Sequence, residues 1–414
     1  MVESVQDSSA GLLDAKLDKE WNSLAKSQAP TKLFIDSSVQ KTLDDGQLVA
    51  FFNQKLDINR FFVASGTGDN IPQVEFGGGE GGDDSKDPFE DSLEDALCVF
   101  KSGGAGGKDT DILKENEEQL LFYVDLENEN IIDKSQADNK GDDVEEDLED
   151  EVQGSKHPVL LNQYPLCQNH SLFLLFAEEG LPQVLSDELL LLLLQIFKLT
   201  SNPHLRIGYN SMGADSIANN LHFHIVYGDK MFQESTGQTV FPIENAEKRL
   251  FFRTSLKHRS ADEVNMYSCG VRFGEVLGWP VRALVLSPEI TSESEASLED
   301  AQEALAHTAG VVFNYLIDKN IPHNILIADE GMTMYIIPRK FDLLIENVSF
   351  FTSFETLCGF IKTKSEVAYK NMKSEDVKKR MTAGVSLKEN EFDAIKKDLM
   401  EKFLTEYDGE EVTD

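Results

Sequence analysis

Cysteine is scarce in this chain, and positive charge is scarcer than negative. Cys98, Cys167, Cys269 and Cys358 are the four cysteines in 414 residues, far apart and without CxxC or paired spacing. That excludes a zinc-ribbon or disulfide framework and points to reduced thiols. Lysine and arginine number 38 against 74 aspartate and glutamate, a formal charge of -36. Such a field repels nucleic acid and anionic headgroups at long range, so neither is expected as a partner. No apolar run is long enough to cross a membrane: Leu189 to Leu194, even extended to Leu199, is short and broken by Gln195 and Lys198. A buried helix is expected there. Met1 to Asp7 carry no basic n-region and no apolar core, so no secretory signal is read and the cytoplasm is the expected compartment. A Walker-type glycine loop, a GxSxG elbow and a Cys/His dyad are also missing, which argues against the common NTPase and hydrolase mechanisms.

What is present is a 41% apolar composition, enough for one large core or two ordinary ones in a globular protein. Near its middle stands Asn220-Leu221-His222-Phe223-His224-Ile225. In an extended strand alternate side chains share a face, so Asn220, His222 and His224 occupy one surface and the apolar residues the other. The preceding stretch, Leu205 to Asn210 followed by Ser211-Met212-Gly213-Ala214, reads as a strand opening into a loop of small residues. Asn210, Ser211, Gly213 and Ser216 are candidates there for cradling phosphate oxygens with main-chain N–H groups. An imidazole beside a phosphate can serve as nucleophile, acid or ligand, and spacing alone does not choose. His222-x-His224 has no third metal ligand at a convincing spacing, so no metal and no cofactor are expected. Arg206 and Lys248 could add positive charge.

Around this motif the chain alternates strands and helices. His157–Asn162 and Ser171–Phe176 predict a hairpin around Tyr164-Pro165. Ser186 with Asp187 and Glu188 starts a Leu-rich helix that stops before Asn202-Pro203. Strands over Leu205–Asn210 and Asn219–Tyr227 complete a strand, strand, helix, strand, strand unit. A fainter second set follows: a strand at Val281–Leu286, a helix capped by Ser297 and Asp300, and a hairpin of Ile325–Ile327 and Met334–Ile337 around Glu330-Gly331. The tail offers Ser386-Leu387-Lys388-Glu389 as a capping box before a stripe of Phe392, Ile395, Leu399 and Phe403. Two insertions, a Gly-rich one near 77–114 and an acidic one near 133–154 that includes Asp142 to Glu151, read as disordered.

The run Asn202–Tyr227 resembles the GDP-hexose phosphorylases of the histidine-triad superfamily, most closely the plant-type GDP-L-galactose phosphorylases. The likeness continues through Phe241-Pro242-Ile243-Glu244, Gly270-Val271-Arg272, Trp279-Pro280-Val281-Arg282 and Ile321-Pro322-His323-Asn324 up to Asp329. It implies an α+β fold: a histidine-triad-like antiparallel sheet with packed helices, a degenerate second α/β half and a C-terminal helix. It divides the chain into a catalytic domain over 11–255 and an α/β domain over 262–407. The implied reaction converts a GDP-hexose and inorganic phosphate to hexose 1-phosphate and GDP, His222 forming a guanylyl intermediate, in ascorbate synthesis if the sugar is L-galactose.

Two motif positions depart from the family. Asn220 replaces the usual first His, and His224 stands where plant-type members carry Gln; both His and Gln can donate to a phosphate oxygen. Asn162 falls where the superfamily contacts ribose, and His170 where a His follows a Gly, here Asn169. Phe51–Arg60 is less basic than the family segment it resembles. His224 lends support to GDP-D-glucose as substrate, and Asn220 to a third possibility, a nucleotide-binding protein without catalysis. Phe89 and Leu93 to Val99 in the first insertion could form a short helix or docking motif, but a surface loop is the favoured reading, and no protein partner is named by the sequence.

Overall fold

The computed structural model describes residues 11–27, 38–53 except 45, 120–134, 155–216 except 163 and 164, 221–259, 264–266, 269–290 and 297–411 except 343, 344 and 346–348. Asn220, Cys98, residues 54–60, the 77–114 insertion and all but the first two residues of 133–154 lie outside them.

The described strands run β1 (Ser38–Thr42), β2 (Val49–Asn53), β3 (Leu120–Asp125), β4 (Asn130–Ile132), β5 (Lys156–Leu161), β6 (Ser171–Leu174), β7 (Leu205–Asn210) and β8 (His222–Tyr227) in the first part. The second part adds β9 (Lys248–Arg259), β10 (Val264–Met266), β11 (Val271–Val276), β12 (Leu284–Pro288), β13 (His323–Ala328), β14 (Thr333–Pro338), β15 (Phe360–Lys362) and β16 (Tyr407–Glu411). Helices are α1 (Leu12–Ser27), α2 (Asp187–Leu194), α3 (Gly228–Met231), α4 (Leu298–Asp318), α5 (Phe354–Leu357), α6 (Glu366–Asn371), α7 (Ser374–Arg380) and α8 (Glu389–Glu406).

One large sheet carries the order β10-β9-β11-β12-β14-β13-β7-β8-β6-β5-β3-β4, with β16 added along β9; β1, β2 and β15 form a small second sheet. The antiparallel, helix-decorated sheet agrees with the α+β expectation. Its centre also explains the faint second set. The chain order β5, β6, α2, β7, β8 lies in space as β5-β6-β8-β7, and β11, β12, α4, β13, β14 lies as β11-β12-β14-β13. The two units have the same connectivity and join where β13 pairs antiparallel with β7. Residues of 11–255 and 262–407 therefore share one sheet.

Alternation along the strands sorts the core into two layers. Leu221, just before β8, and Phe223, Ile225 and Tyr227 on it join α1, α2, α4 and α8 in one cluster, while Val226 belongs to the cluster under the small sheet and α5. Ser186 accepts from the Leu189 N–H and starts α2 as predicted, which then tightens into a 3-10 turn ending at Leu199. Ser297 and Asp300 form the expected capping box of α4. Phe392, Ile395, Leu399 and Phe403 are buried.

Two boundary readings are corrected. Ser386 does not cap α8: its hydroxyl accepts from the Arg282 N–H, and the Glu391 carboxylate takes the Lys388 N–H instead. For the same reason the predicted strand at Val281 begins at Leu284, since the Arg282 amide is spent on Ser386 rather than on a neighbouring strand.

Candidate active site

His222 and His224 lie on β8, half-buried, on the face that looks toward the small sheet and α5. Their ring centroids are 6.0 Å apart. Across the ladder, His224 pairs with Gly208 of β7 on one side and Leu172 of β6 on the other. Gly208 is required there: a Cβ on it would stand 2.0 Å from the Phe354 ring. That ring packs against His224, centroids 5.4 Å apart.

Where the ladder would continue to Asn210 and His222, the side chain of Gln183 intervenes. Its amide accepts from the His222 N–H at 3.0 Å and donates to the carbonyls of His222 (3.0 Å) and Asn210 (3.1 Å). The Tyr209 hydroxyl holds the Gln183 carbonyl at 2.7 Å. The backbone of His222 is thus clamped by a buried side chain from the turn before α2, and the two strands part at the site.

Around His224 a buried polar cluster gathers. His170 Nε2 lies 3.0 Å from His224 Nδ1 and 3.1 Å from the Asn162 amide nitrogen, and the Leu166 N–H donates to His170 Nδ1 at 3.0 Å. From α5 comes Glu355, 1% exposed, paired with Lys362 of β15 at 3.1 Å and accepting from the Ser353 hydroxyl. A ring nitrogen each of His170 and His224 and a Glu355 oxygen all fall within 4.8 Å of one another.

Burial dominates the proton equilibria. It drives His170 down to about 4, against the upward pull of Glu355, and drives His224 well below the usual imidazole range. Burial would raise Glu355, but the charge of Lys362, the nearby His224 and the Ser353 hydroxyl overcome it and hold the carboxyl at about 2. At neutral pH the cluster therefore contains two neutral imidazoles and a carboxylate paired to a lysine.

The structure brings together His222, His224, His170 and Asn162. The loop residues are used differently. The Asn210 side-chain oxygen is engaged by the Asn324 amide (2.6 Å) and by the Phe354 N–H (2.9 Å), tying β7 to the first residue of α5. Ser211 exchanges bonds with the main chain of His323, its hydroxyl accepting at 2.8 Å. Gly213 has φ +75 and packs against Phe341. Ser216 is half-buried at the end of the described loop. Arg206 is committed to a bidentate pair with Glu244, and Lys248 donates to the Glu244 carbonyl.

The sequence reading did not single out Gln183, Glu355 or Lys362. One signal for Glu355 was available: it is the one charged residue between Phe350 and Ile361, in a run of phenylalanine, leucine and cysteine. A charge so placed is either paired or functional.

Family models described as "GDPGP1-like, N-terminal domain" and "GDPGP1-like, C-terminal domain" match residues 108–226 and 255–406, together more than half of the chain. The chain belongs to the GDPGP1-like family. GDP-L-galactose phosphorylase 2 of Arabidopsis thaliana is 29% identical over 258 residues, covering 61% of this chain and 49% of that protein. GDP-D-glucose phosphorylase 1 of Xenopus laevis is 37% identical over 87 residues, covering 21% of this chain and 22% of that protein. The chain thus spans about half the length of the first relative, and the family assignment applies to the matched segments. Yeast Ap4A phosphorylase Apa2 in complex with AMP aligns over 90% of this chain and 96% of its own, with 14% identity and a TM-score of 0.47.

Proposed function

We propose that this member of the GDPGP1-like family is a GDP-hexose phosphorylase with His222 as its nucleophile. The observation that carries the reading is the placement of His222 and His224 on one strand face, at the point where β7 and β8 part and a polar cluster backs the second ring. An imidazole nitrogen attacks the α-phosphorus, and the bond from that phosphorus to the bridging oxygen breaks. Hexose 1-phosphate leaves, and guanylyl-histidine remains. An oxygen of inorganic phosphate then attacks the same phosphorus, which releases GDP and restores the imidazole. His224 donates to a phosphate oxygen as charge develops on it. No cofactor enters this scheme.

GDP-L-galactose is the first-choice sugar nucleotide, supported by the longer likeness to the Arabidopsis protein; this would place the reaction in ascorbate synthesis and in the cytoplasm. GDP-D-glucose is the second choice, supported by the higher identity over a shorter stretch. The test is GDP release from each sugar nucleotide, with and without phosphate, by the wild-type chain and His222→Ala. Phosphate-dependent GDP formation should fall by about 10³-fold or more in the variant. Omitting phosphate should leave the wild-type protein guanylylated. Tight binding of the nucleotide with no GDP from either substrate would instead make the chain a nucleotide-binding protein without catalysis.

A further inference from the structure

Two imidazoles and a carboxylate within 4.8 Å of one another, from His170, His224 and Glu355, make a donor set of the kind that holds zinc. The hydrogen bonds around His170 argue for something else. A neutral imidazole has one N–H and one lone pair. The Leu166 main-chain N–H points at Nδ1 of His170 at 3.0 Å, and a main-chain N–H can only donate. Nδ1 therefore carries the lone pair and Nε2 the proton. A protonated nitrogen cannot ligate a cation. It faces Nδ1 of His224 at 3.0 Å, a separation at which one nitrogen must give a proton and the other accept it. Nδ1 of His224 is then the acceptor, and the proton of that ring sits on Nε2. The Asn162 amide, 3.1 Å from the same His170 nitrogen, fits this arrangement once its oxygen faces the ring, a rotation that exchanges two ends of nearly equal size and shape and turns a donor into an acceptor. Both rings are held neutral by burial.

We propose that Leu166 and His170 form a tautomer lock that fixes His224 as an acceptor at Nδ1 and a donor at Nε2. His170 is then a positioning residue, acting on the reaction through His224 alone. The lock itself follows from the hydrogen-bond geometry; its use, holding a phosphate oxygen during transfer, rests on the phosphorolysis reading. A side chain that accepts at one atom and donates at the next can replace the locked ring. Glutamine does so, with its carbonyl oxygen in place of Nδ1 and its NH₂ in place of Nε2. Phenylalanine has the shape and neither function.

The experiment is long-range ¹H–¹⁵N correlation on the full chain labelled at histidine, at pH 7, for wild type, His170→Phe and His170→Gln, with turnover measured alongside and on His224→Gln and His224→Phe. Wild type should show His170 and His224 neutral and protonated at Nε2. His170→Phe should release His224 into a mixture of tautomers, and His170→Gln, whose amide can accept from Leu166 and donate to His224, should restore the single form. Turnover should fall about a hundredfold in His170→Phe and His224→Phe and stay within about tenfold of wild type in both glutamine variants. The proposal is overturned if wild-type His224 carries its proton on Nδ1, if its tautomer is unmoved in His170→Phe, or if wild type takes up one equivalent of zinc that His170→Phe does not. Should His170→Phe fail to fold, the wild-type spectrum and His170→Gln still decide. The expected tautomers in a chain that releases no GDP would uphold the lock while removing phosphorolysis.

Discussion

Glu355 illustrates how a single charge is tolerated inside a core. Its side chain is 1% exposed, and the ammonium of Lys362, itself 13% exposed, is its counterion. An ion pair in this position contributes less through its own attraction than through the penalty avoided when neither partner is left alone. Lys362→Met should therefore destabilise the fold by about 3–5 kcal/mol, while Lys362→Met combined with Glu355→Gln recovers part of the loss. Urea unfolding midpoints of the three proteins check this; a double variant no more stable than the single one contradicts it. Removing Lys362 should also lift the Glu355 carboxyl from about 2 toward the ordinary range and beyond it, because the burial that opposes ionisation stays.

At the scale of elements, the site is a place where the β7–β8 ladder is interrupted on purpose by a side chain from outside the sheet. The Gln183 amide replaces ladder bonds to His222 and Asn210. Gln183→Leu leaves a buried N–H and two carbonyls unsatisfied, at about 1–3 kcal/mol for each group that finds no water. Activity should fall more steeply than folded fraction, since His222 is the residue set loose. Comparing kcat with the circular dichroism melting curve tests the point, and an unchanged kcat would show that the clamp does not position His222. The segment carrying Glu355 is braced in the same manner. Asn210 holds the Phe354 N–H, Trp279 donates to the Leu357 carbonyl at 2.9 Å, and the Ile243 N–H bonds the Cys358 carbonyl at 3.1 Å. The Phe241–Glu244 and Trp279–Arg282 motifs thus support α5 from outside the histidine cluster.

For the whole molecule, two units of like connectivity share one sheet and one helical layer, and only the first carries histidines on its last strand, β8. The core also contains histidines that tie stability to pH. Burial lowers His157, His170 and His323 each to about 4, from 6.5. An unfolded chain takes up protons below pH 6.5 that the folded one refuses until about 4, so stability is full above 6.5 and declines as pH falls through that window. Each histidine contributes on the order of 1 kcal/mol per pH unit. Glu355 adds a further loss between its ordinary 4.5 and about 2. His157 gives the cleanest check, because its ring packs against Phe173 and Phe176 and its Nε2 has no hydrogen-bond partner. His157→Phe should flatten the slope of unfolding free energy between pH 6.5 and 4 by one proton; an unaltered slope would exclude its part. Among the described residues no helix is long and apolar enough to cross a membrane.

Local pattern was sufficient for the elements and for part of the site. Period-two alternation placed His222 and His224 on one face and Leu221, Phe223 and Ile225 in the core, because a strand's pleat needs no tertiary information. Ser186 and Ser297 marked helix starts for the same reason, as their partners lie three residues away. Ser386 misled because a hydroxyl bonds whichever N–H reaches it first in space, and Arg282 does. Gln183, Glu355 and Lys362 were beyond local reading: they meet His222 and His224 across 39, 131 and 138 residues of chain. No periodicity links them, and only the packing of α5 and β15 over β7 and β8 puts a carboxylate and a lysine beside the imidazoles. Residue type and spacing pointed to histidine chemistry; burial and the direction of each hydrogen bond, properties of the folded state alone, bear on which nitrogen carries the proton.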